Sequence, residues 1–212
     1  EACRSTHNYF QYALVLETGL RTGEMIGLTW DAIDWEKRTL TVNKTLEYRH
    51  KQGQWRAGPP KTVASYRTLP MTDRAYDILR AVQATKEFRK QSPLLSERLT
   101  YIDRRTGDER EFAMAELVFL NFRTGMPTKN SSYDTHIYKV CDENGIARFC
   151  MHALRHTYAT RCIESGMQPK TLQKLLGHAS IKTTMDRYVH VTDESLAAGV
   201  RQFEQHRQAV TL

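Results

Sequence analysis

The sequence has no hydrophobic run long enough to cross a membrane, and no apolar stretch near its N-terminus resembles a signal peptide. A membrane-spanning helix needs ~18 consecutive apolar residues, and no segment of the 212 approaches that length. We therefore expect a soluble globular protein without a membrane partner. The chain opens with Glu1 instead of Met, which predicts that it is part of a longer protein.

Cysteine is scarce, and its spacing fits neither a disulfide framework nor a zinc site. The four cysteines are Cys3, Cys141, Cys150 and Cys162. None forms a CxxC pair, which favours free thiols in a reducing cytoplasm. His152 and His156 stand four residues apart, as in a zinc-binding helix, but no glutamate takes the HExxH position and the neighbouring Arg155 would repel a cation. We expect no bound metal.

Acidic residues are outnumbered by basic ones, 24 against 31, which gives a formal net charge of +7 and a pI near 9.3. A basic chain favours a polyanionic partner such as nucleic acid, although charge alone indicates this weakly. The length allows one or at most two domains.

The hydrophobic periodicity predicts a mostly α protein with a small antiparallel β-sheet, an α+β fold. Thr6 is predicted to cap a helix over residues 7–17 that stops at Gly19, and Thr72 to cap a later one. Strands are expected over 40–48 and 65–69, around a polar turn. From residue 151 the chain is expected to be nearly all helix, over 151–165, 169–176, 181–189 and a segment after Asp193.

Six polar residues stand at predicted helix starts and turns: Arg21, Lys61, His152, Arg155, His178 and Tyr188. Taken singly, each has a common structural interpretation. Arg21 at a turn and Lys61 in a polar loop would be solvated, and Tyr188 on a helix would be half-buried core. His156, next to Arg155, would be a packing histidine.

The order and surroundings of these residues change that interpretation. The pattern is carried by ETGLRTGEMIGLTWDAID, PKTVASYRTLP, HALRHTYATRCIESG and LQKLLGHASIKTTMDRYVHV. Together these segments resemble the tyrosine recombinase (phage integrase) family, whose pattern is arginine, a hairpin lysine, HxxR, His or Trp, and then tyrosine. All six positions are filled in order, and Glu24 matches an acidic position of the family. The resemblance covers residues 6–192, is weakest over 91–116, and is nearest to integrases of conjugative transposons and temperate phages.

The resemblance implies that Tyr188 is a nucleophile that attacks a DNA phosphodiester and forms a covalent 3′-phosphotyrosine. Lys61 would protonate the departing 5′ oxygen as a general acid, and His152 would accept or share the tyrosine proton. Rejoining would need no ATP, because the phosphotyrosine conserves the bond energy. The resemblance implies neither a cofactor nor a metal.

The remaining residues of the pattern would supply positive charge. Arg21 and Arg155 would grip the non-bridging phosphate oxygens with their planar forks, and His178 would be a third donor. Glu24 would support Arg21. Such preorganised charge is often the largest contribution to catalysis.

The same resemblance implies a catalytic domain over residues 1–192 and a C-terminal helix or tail over 193–212, with N-terminal DNA-binding domains absent from this chain. Leu196, Val200 and Phe203 form an apolar stripe that suits a groove on a neighbouring subunit, with packing in cis as the alternative. The implied partners are double-stranded DNA with paired recombination sites, a homotetramer in synapsis, and accessory DNA-bending proteins. The implied role is integration and excision of a mobile element at the nucleoid, in the bacterial cytoplasm.

Three alternatives remain at this point. A type IB topoisomerase would use the same chemistry to relax one duplex as a monomer. A non-catalytic DNA-binding module would be expected to lack one of the six residues, and none is missing. A basic interaction domain would carry the motifs by chance.

Overall fold

The computed structural model describes residues 2–85, 92–121 and 123–188, together with 200–201, 203–205 and 207–208. Helices dominate and the sheets are small and antiparallel, as predicted. The helices are α1 Tyr9–Thr18, α2 Thr22–Ile26, α3 Asp73–Ala84, α4 Asn130–Glu143, α5 Met151–Glu164, α6 Pro169–Leu176 and α7 Ile181–Tyr188. The strands are β1 Ile33–Asp34, β2 Thr39–Val42, β3 Thr45–Arg49, β4 Gln54–Gly58, β5 Arg67–Pro70, β6 Arg98–Ile102 and β7 Glu109–Ala113.

Helix α1 lies at the centre of the larger core, where α3 and α5 pack against it. It begins at Tyr9, so the predicted start at residue 7 is two residues early. The predicted cap is wrong because the Thr6 hydroxyl donates to the Cys3 carbonyl in a preceding turn. The predicted stop is confirmed: Gly19 has φ 62°, a left-handed conformation that glycine adopts at little cost.

The predicted strand over residues 40–48 is two strands in two sheets. Strand β2 pairs with β1 and β5, whereas β3 pairs only with β4 among the described residues. Residues 43 and 44 interrupt the extended pairing, so Leu40 and Leu46 are buried in different sheets. Part of the expected polar turn is strand β4, because Ala57 is buried opposite Leu46. The returning strand β5 starts at Arg67, two residues later than predicted.

The segment over 98–113, within the stretch 91–116 where the family resemblance is weakest, forms a hairpin of β6 and β7. The turn is exposed over residues 104–108, and Arg105 Nη2 donates to the carboxylate of buried Asp103 at 3.0 Å. Tyr101 and Phe112 are buried, which places the hairpin beside β4. Two buried aromatic side chains were too weak a periodic signal to predict strands.

Helices α5, α6 and α7 enclose a second, smaller apolar cluster of Ala159, Cys162, Leu172, Leu176 and Tyr188. The predicted bounds of α6 are confirmed, since Pro169 begins it and Gly177 ends it. The predicted end of α7 at residue 189 and the start of the last helix lie outside the described residues; Val200 and Phe203 are described, helical and exposed. No helix in the described ranges is long and apolar enough to span a bilayer.

Candidate active site

Arg21 occupies the N-cap of the short helix α2, and Glu24 lies one turn further on. The Glu24 carboxylate accepts hydrogen bonds from the Arg21 backbone N–H at 2.9 Å and from Arg21 Nη1 at 2.8 Å. Glu24 is buried, whereas about a third of the Arg21 side chain is exposed (32%). The guanidinium is therefore held at one edge and open to an anion at the other.

Arg67 of strand β5 is a second partner for Glu24, and only 6% of its side chain is exposed. Its Nη2 and Nη1 donate to the two carboxylate oxygens at 2.9 and 3.1 Å, in the bidentate arrangement that favours arginine. Burial alone would raise the pKa of Glu24, but Arg67 and then Arg21 overcome that effect and lower the pKa to about 2. Sequence reasoning missed Arg67. The available signal was Glu24, because a carboxylate buried in a core needs more than one half-exposed arginine as its partner.

Arg155 of α5 is almost completely buried, with 2% of its surface exposed. Its Nη1 donates to the Gly19 carbonyl and its Nη2 to the Leu176 carbonyl at 2.7 Å. Burial, followed by repulsion from Arg21, lowers the pKa of Arg155, but guanidinium is basic enough to stay protonated. Each Nη carries two N–H groups, so each retains one for a ligand.

The C-terminal end of helix α6 anchors three arginines at once. The carbonyls of Leu175, Leu176 and Gly177 accept from Arg67 Nε at 2.6 Å, Arg155 Nη2 at 2.7 Å and Arg21 Nη2 at 3.5 Å. Such carbonyls lack partners within the helix and carry partial negative charge. They therefore stabilise cations that would otherwise be costly to place together. We call this group of carbonyls the α6 terminus.

His178 follows the α6 terminus directly. Its backbone N–H donates to the Gln173 carbonyl at 3.1 Å, and its Nδ1 lies 2.9 Å from the hydroxyl of buried Thr184 on α7. Burial, then Arg155 and Arg21, lower the pKa of His178 to about 4. The imidazole is neutral at physiological pH and acts as a hydrogen-bond donor through one ring nitrogen.

Tyr188 sits at the end of the described part of α7, with its ring in the smaller apolar cluster and nearly parallel to His178 (interplanar angle 6°, centroids 6.5 Å apart). Its hydroxyl lies 2.8 Å from Nδ1 of His156. Burial raises the pKa of Tyr188, while Arg155, Arg187 and Arg21 oppose the rise. The phenol is thus protonated at rest in a field of positive charge.

His152 is on the same helix as His156 but does not hold the tyrosine hydroxyl. Its side chain is exposed, and its ring meets the His156 ring edge-on with centroids 4.4 Å apart. Burial, then His156 and Arg155, lower the pKa of His152. Sequence reasoning favoured a packing role for His156; the available signal was its position one helical turn beyond His152.

Lys61 stands apart from the other five residues. It is exposed in the loop between β4 and a short 3-10 helix over Val63–Ser65, and forms no hydrogen bond or ion pair with the described part of the chain. The structure therefore brings together Arg21, His152, Arg155, His178 and Tyr188, with Glu24 behind them. Within the described ranges, no group of three or more His, Cys, Asp or Glu side chains is placed to hold a metal ion.

The sequence model described as the phage integrase family matches residues 1–195. The chain belongs to this family, the tyrosine recombinases. Among curated relatives, the transposase from transposon Tn916 of Enterococcus faecalis is 29% identical over 207 residues, 95% of this chain and 46% of that protein. A XerC-like tyrosine recombinase of Caldanaerobacter subterraneus subsp. tengcongensis is 31% identical over 189 residues, 85% of this chain and 44% of that one.

Among solved structures, the Tn1549 transposon integrase in complex with circular intermediate DNA shares the fold, with a TM-score of 0.74 and 27% identity. The match covers 92% of this chain and 59% of that one. The predicted family and fold class are thereby confirmed. This tyrosine recombinase chain spans less than half the length of the two curated relatives.

Proposed function

We propose that residues 1–192 form the catalytic domain of a site-specific DNA recombinase. It would cleave and rejoin DNA strands through a 3′-phosphotyrosine at Tyr188, in the integration and excision of a mobile element. The observation that carries this proposal is the Tyr188 hydroxyl itself, which lies within the field of Arg155, Arg187 and Arg21 beside His178. A tyrosine that only packs in a core gains nothing from three nearby cations. A tyrosine that attacks a phosphate is stabilised by them as negative charge develops.

The anchored cations would bind the scissile phosphate. In-line attack on a phosphodiester places additional negative charge on the two non-bridging oxygens. Arg155 and Arg21 each keep N–H groups beyond those bound to carbonyls and Glu24, and His178 adds another donor. Because these groups are fixed before DNA arrives, little reorganisation opposes the reaction.

Lys61 would act at the other end of the breaking bond. The departing 5′ oxygen is a poor leaving group and needs a proton, and an exposed loop can carry the ammonium to DNA. The two arginines supply positive charge, His178 supplies a further hydrogen bond and Lys61 supplies the proton, so that the proposed reaction does not call for a metal. The phosphotyrosine keeps the energy of the bond, so ATP is not needed for rejoining.

Covalent trapping tests the proposal. The protein containing this chain is incubated with nicked duplexes from the ends of its element, so that the short cleaved piece diffuses away and the adduct accumulates. We expect a protease-sensitive adduct at the 3′ side of the break, unaffected by EDTA and absent from Tyr188→Phe, which should still bind DNA. An adduct formed by Tyr188→Phe would disprove the assignment.

The names of the relatives favour recombination over the relaxation of a single duplex. They include a transposase, a recombinase and a DNA-bound integrase. We propose paired sites on double-stranded DNA, a homotetramer in synapsis, accessory DNA-bending proteins, further N-terminal DNA-binding domains, and a location at the bacterial nucleoid.

Binding to DNA should weaken steeply as salt rises, because phosphate contacts release counterions.

The segment 193–212 is proposed to dock on a neighbouring subunit. Of its apolar stripe, Val200 and Phe203 are 59% and 65% exposed, which leaves their surface available to a partner. Removing residues after Asp193 should abolish synapsis and strand exchange while leaving single-site binding. Unchanged strand exchange would favour packing in cis or no role.

A further inference from the structure

The hydroxyl of Tyr188, the proposed nucleophile, lies within hydrogen-bond distance of His156, which is not one of the six residues of the family pattern. Tyr188 Oη lies 2.8 Å from His156 Nδ1, with the ring centroids 5.6 Å apart. This distance is normal for a hydrogen bond in which a hydroxyl donates to an imidazole nitrogen. His152, one helical turn away, presents an exposed ring and contacts His156 only edge-on.

The surroundings of His156 favour the neutral ring, which can accept a proton. It is faced by His152 and Arg155 of α5 and by Arg187 and Tyr188 of α7. Burial, then Arg187 and Arg155, lower the pKa of His156 below its ordinary range. With the proton on Nε2, the Nδ1 lone pair points at the phenol.

Building on the proposed function, we propose that His156 is the catalytic residue that receives the Tyr188 proton during cleavage. As the bond from Oη to phosphorus forms, the O–H bond breaks and its proton moves to His156 Nδ1. The bond from phosphorus to the 5′ oxygen breaks, its electron pair stays on that oxygen, and Lys61 supplies a proton there. Rejoining runs the same transfers in reverse.

The charges around this pair make the transfer depend on DNA. Without phosphate, Arg155 and Arg187 oppose an additional positive charge on His156, so the proton remains on Tyr188. A bound phosphodiester brings negative charge to the same place and favours the imidazolium. His152 is left exposed beside the pair, free to bind a phosphate oxygen.

The decisive variant is His156→Asn, because a carboxamide oxygen can accept the hydrogen bond from Tyr188 but cannot take its proton. On nicked substrates we expect adduct formation ~10²–10⁴-fold slower, the usual contribution of a general base, with unchanged DNA affinity. The wild-type rate should fall with acid as His156 is protonated, and that fall should be missing from His156→Asn. In His152→Asn, whatever its overall rate, the fall with acid should remain.

A sulfur substrate separates the two proton transfers. When sulfur replaces the bridging 5′ oxygen, the thiolate leaves without protonation, so Lys61→Ala should recover its rate and His156→Asn should not. Recovery of His156→Asn, or an unchanged rate with oxygen, would overturn the assignment while the wild-type adduct still supports the recombinase. No adduct from wild type would overturn both.

A measurement on the wild-type protein without DNA tests the proposal even where a variant fails to fold. Nitrogen-15 NMR of the wild-type protein reports which ring nitrogen of His156 carries the proton. We expect the neutral ring with the proton on Nε2. A proton on Nδ1 would make His156 the donor to Tyr188, and the proposal would be wrong.

Discussion

The two ends of the proposed reaction are built in opposite ways. Around the α6 terminus, Arg21, Arg67 and Arg155 are tied to backbone carbonyls, and Glu24 locks two of them. Lys61, in contrast, is exposed in a loop without a described hydrogen bond or ion pair. Groups that stabilise charge gain from being fixed in advance, whereas a group that delivers a proton must reach an atom that arrives with the DNA.

Replacing a fixed cation should have the largest effect. In Arg155→Lys the charge remains, but one ammonium cannot reproduce the fork that joins Gly19 and Leu176. We expect adduct formation to fall ~10³-fold or more, because more than one preorganised donor is lost. Unfolding in denaturant should show a loss of about 1–3 kcal/mol from a buried carbonyl left unpaired.

The control is Arg161→Lys, an exposed position on the same helix. It should change neither the rate nor the stability. If Arg155→Lys cleaved like this control, the fork would be irrelevant to cleavage.

Replacing the loop lysine should affect only the chemistry. Lys61→Ala is expected to slow adduct formation roughly 10²-fold or more, as for loss of a general acid, with an unchanged melting temperature. Lys51→Ala, an exposed lysine in the turn between β3 and β4, removes the same charge and should retain the rate. A lowered melting temperature in Lys61→Ala would mean that the loop is packed after all.

The last prediction concerns stability and its dependence on pH, at Glu24. Its pKa of about 2 lies below the value in an unfolded chain, so its contribution is complete above pH ~5 and disappears as the pH falls towards 2. That contribution is about 3 kcal/mol at neutral pH. Denaturant unfolding between pH 7 and 3 should show a shallower acid decline in Glu24→Gln; parallel curves would contradict the buried pair.

Local signals predicted the fold where they were strong. Pro169 and Gly177 define α6, and Thr72 caps α3 through its hydroxyl, which accepts from the Ala75 N–H at 3.1 Å. The division of residues 40–48 between two sheets was not predictable, since Leu40 and Leu46 are buried by distant partners and differ little in local pattern.

The site followed the same rule in a different form. The order of the motifs along the chain identified the six residues and Glu24. Each of these residues lies in a motif that includes its own turn or helix cap, so the local sequence was enough to identify it. Arg67 and His156 were missed because their partners, Glu24 and Tyr188, are 43 and 32 residues away in sequence. The local signals, an acid that needs a second partner and a histidine one turn beyond His152, do not identify which distant residue makes the contact.

The α6 terminus has a consequence for mutational tolerance. Its anchors are main-chain carbonyls, which any residue supplies as long as the backbone keeps its conformation. The side chains of this turn can therefore be substituted without weakening the hydrogen bonds to the arginines. The vulnerable point is Gly177, with φ 64°, where an added Cβ would lie 3.0 Å from Ser65 Cα and 3.1 Å from Arg67 Nη1. A substitution at Gly177, which has no side chain, is therefore expected to disrupt the arginine cluster of this recombinase more than a substitution elsewhere in the turn.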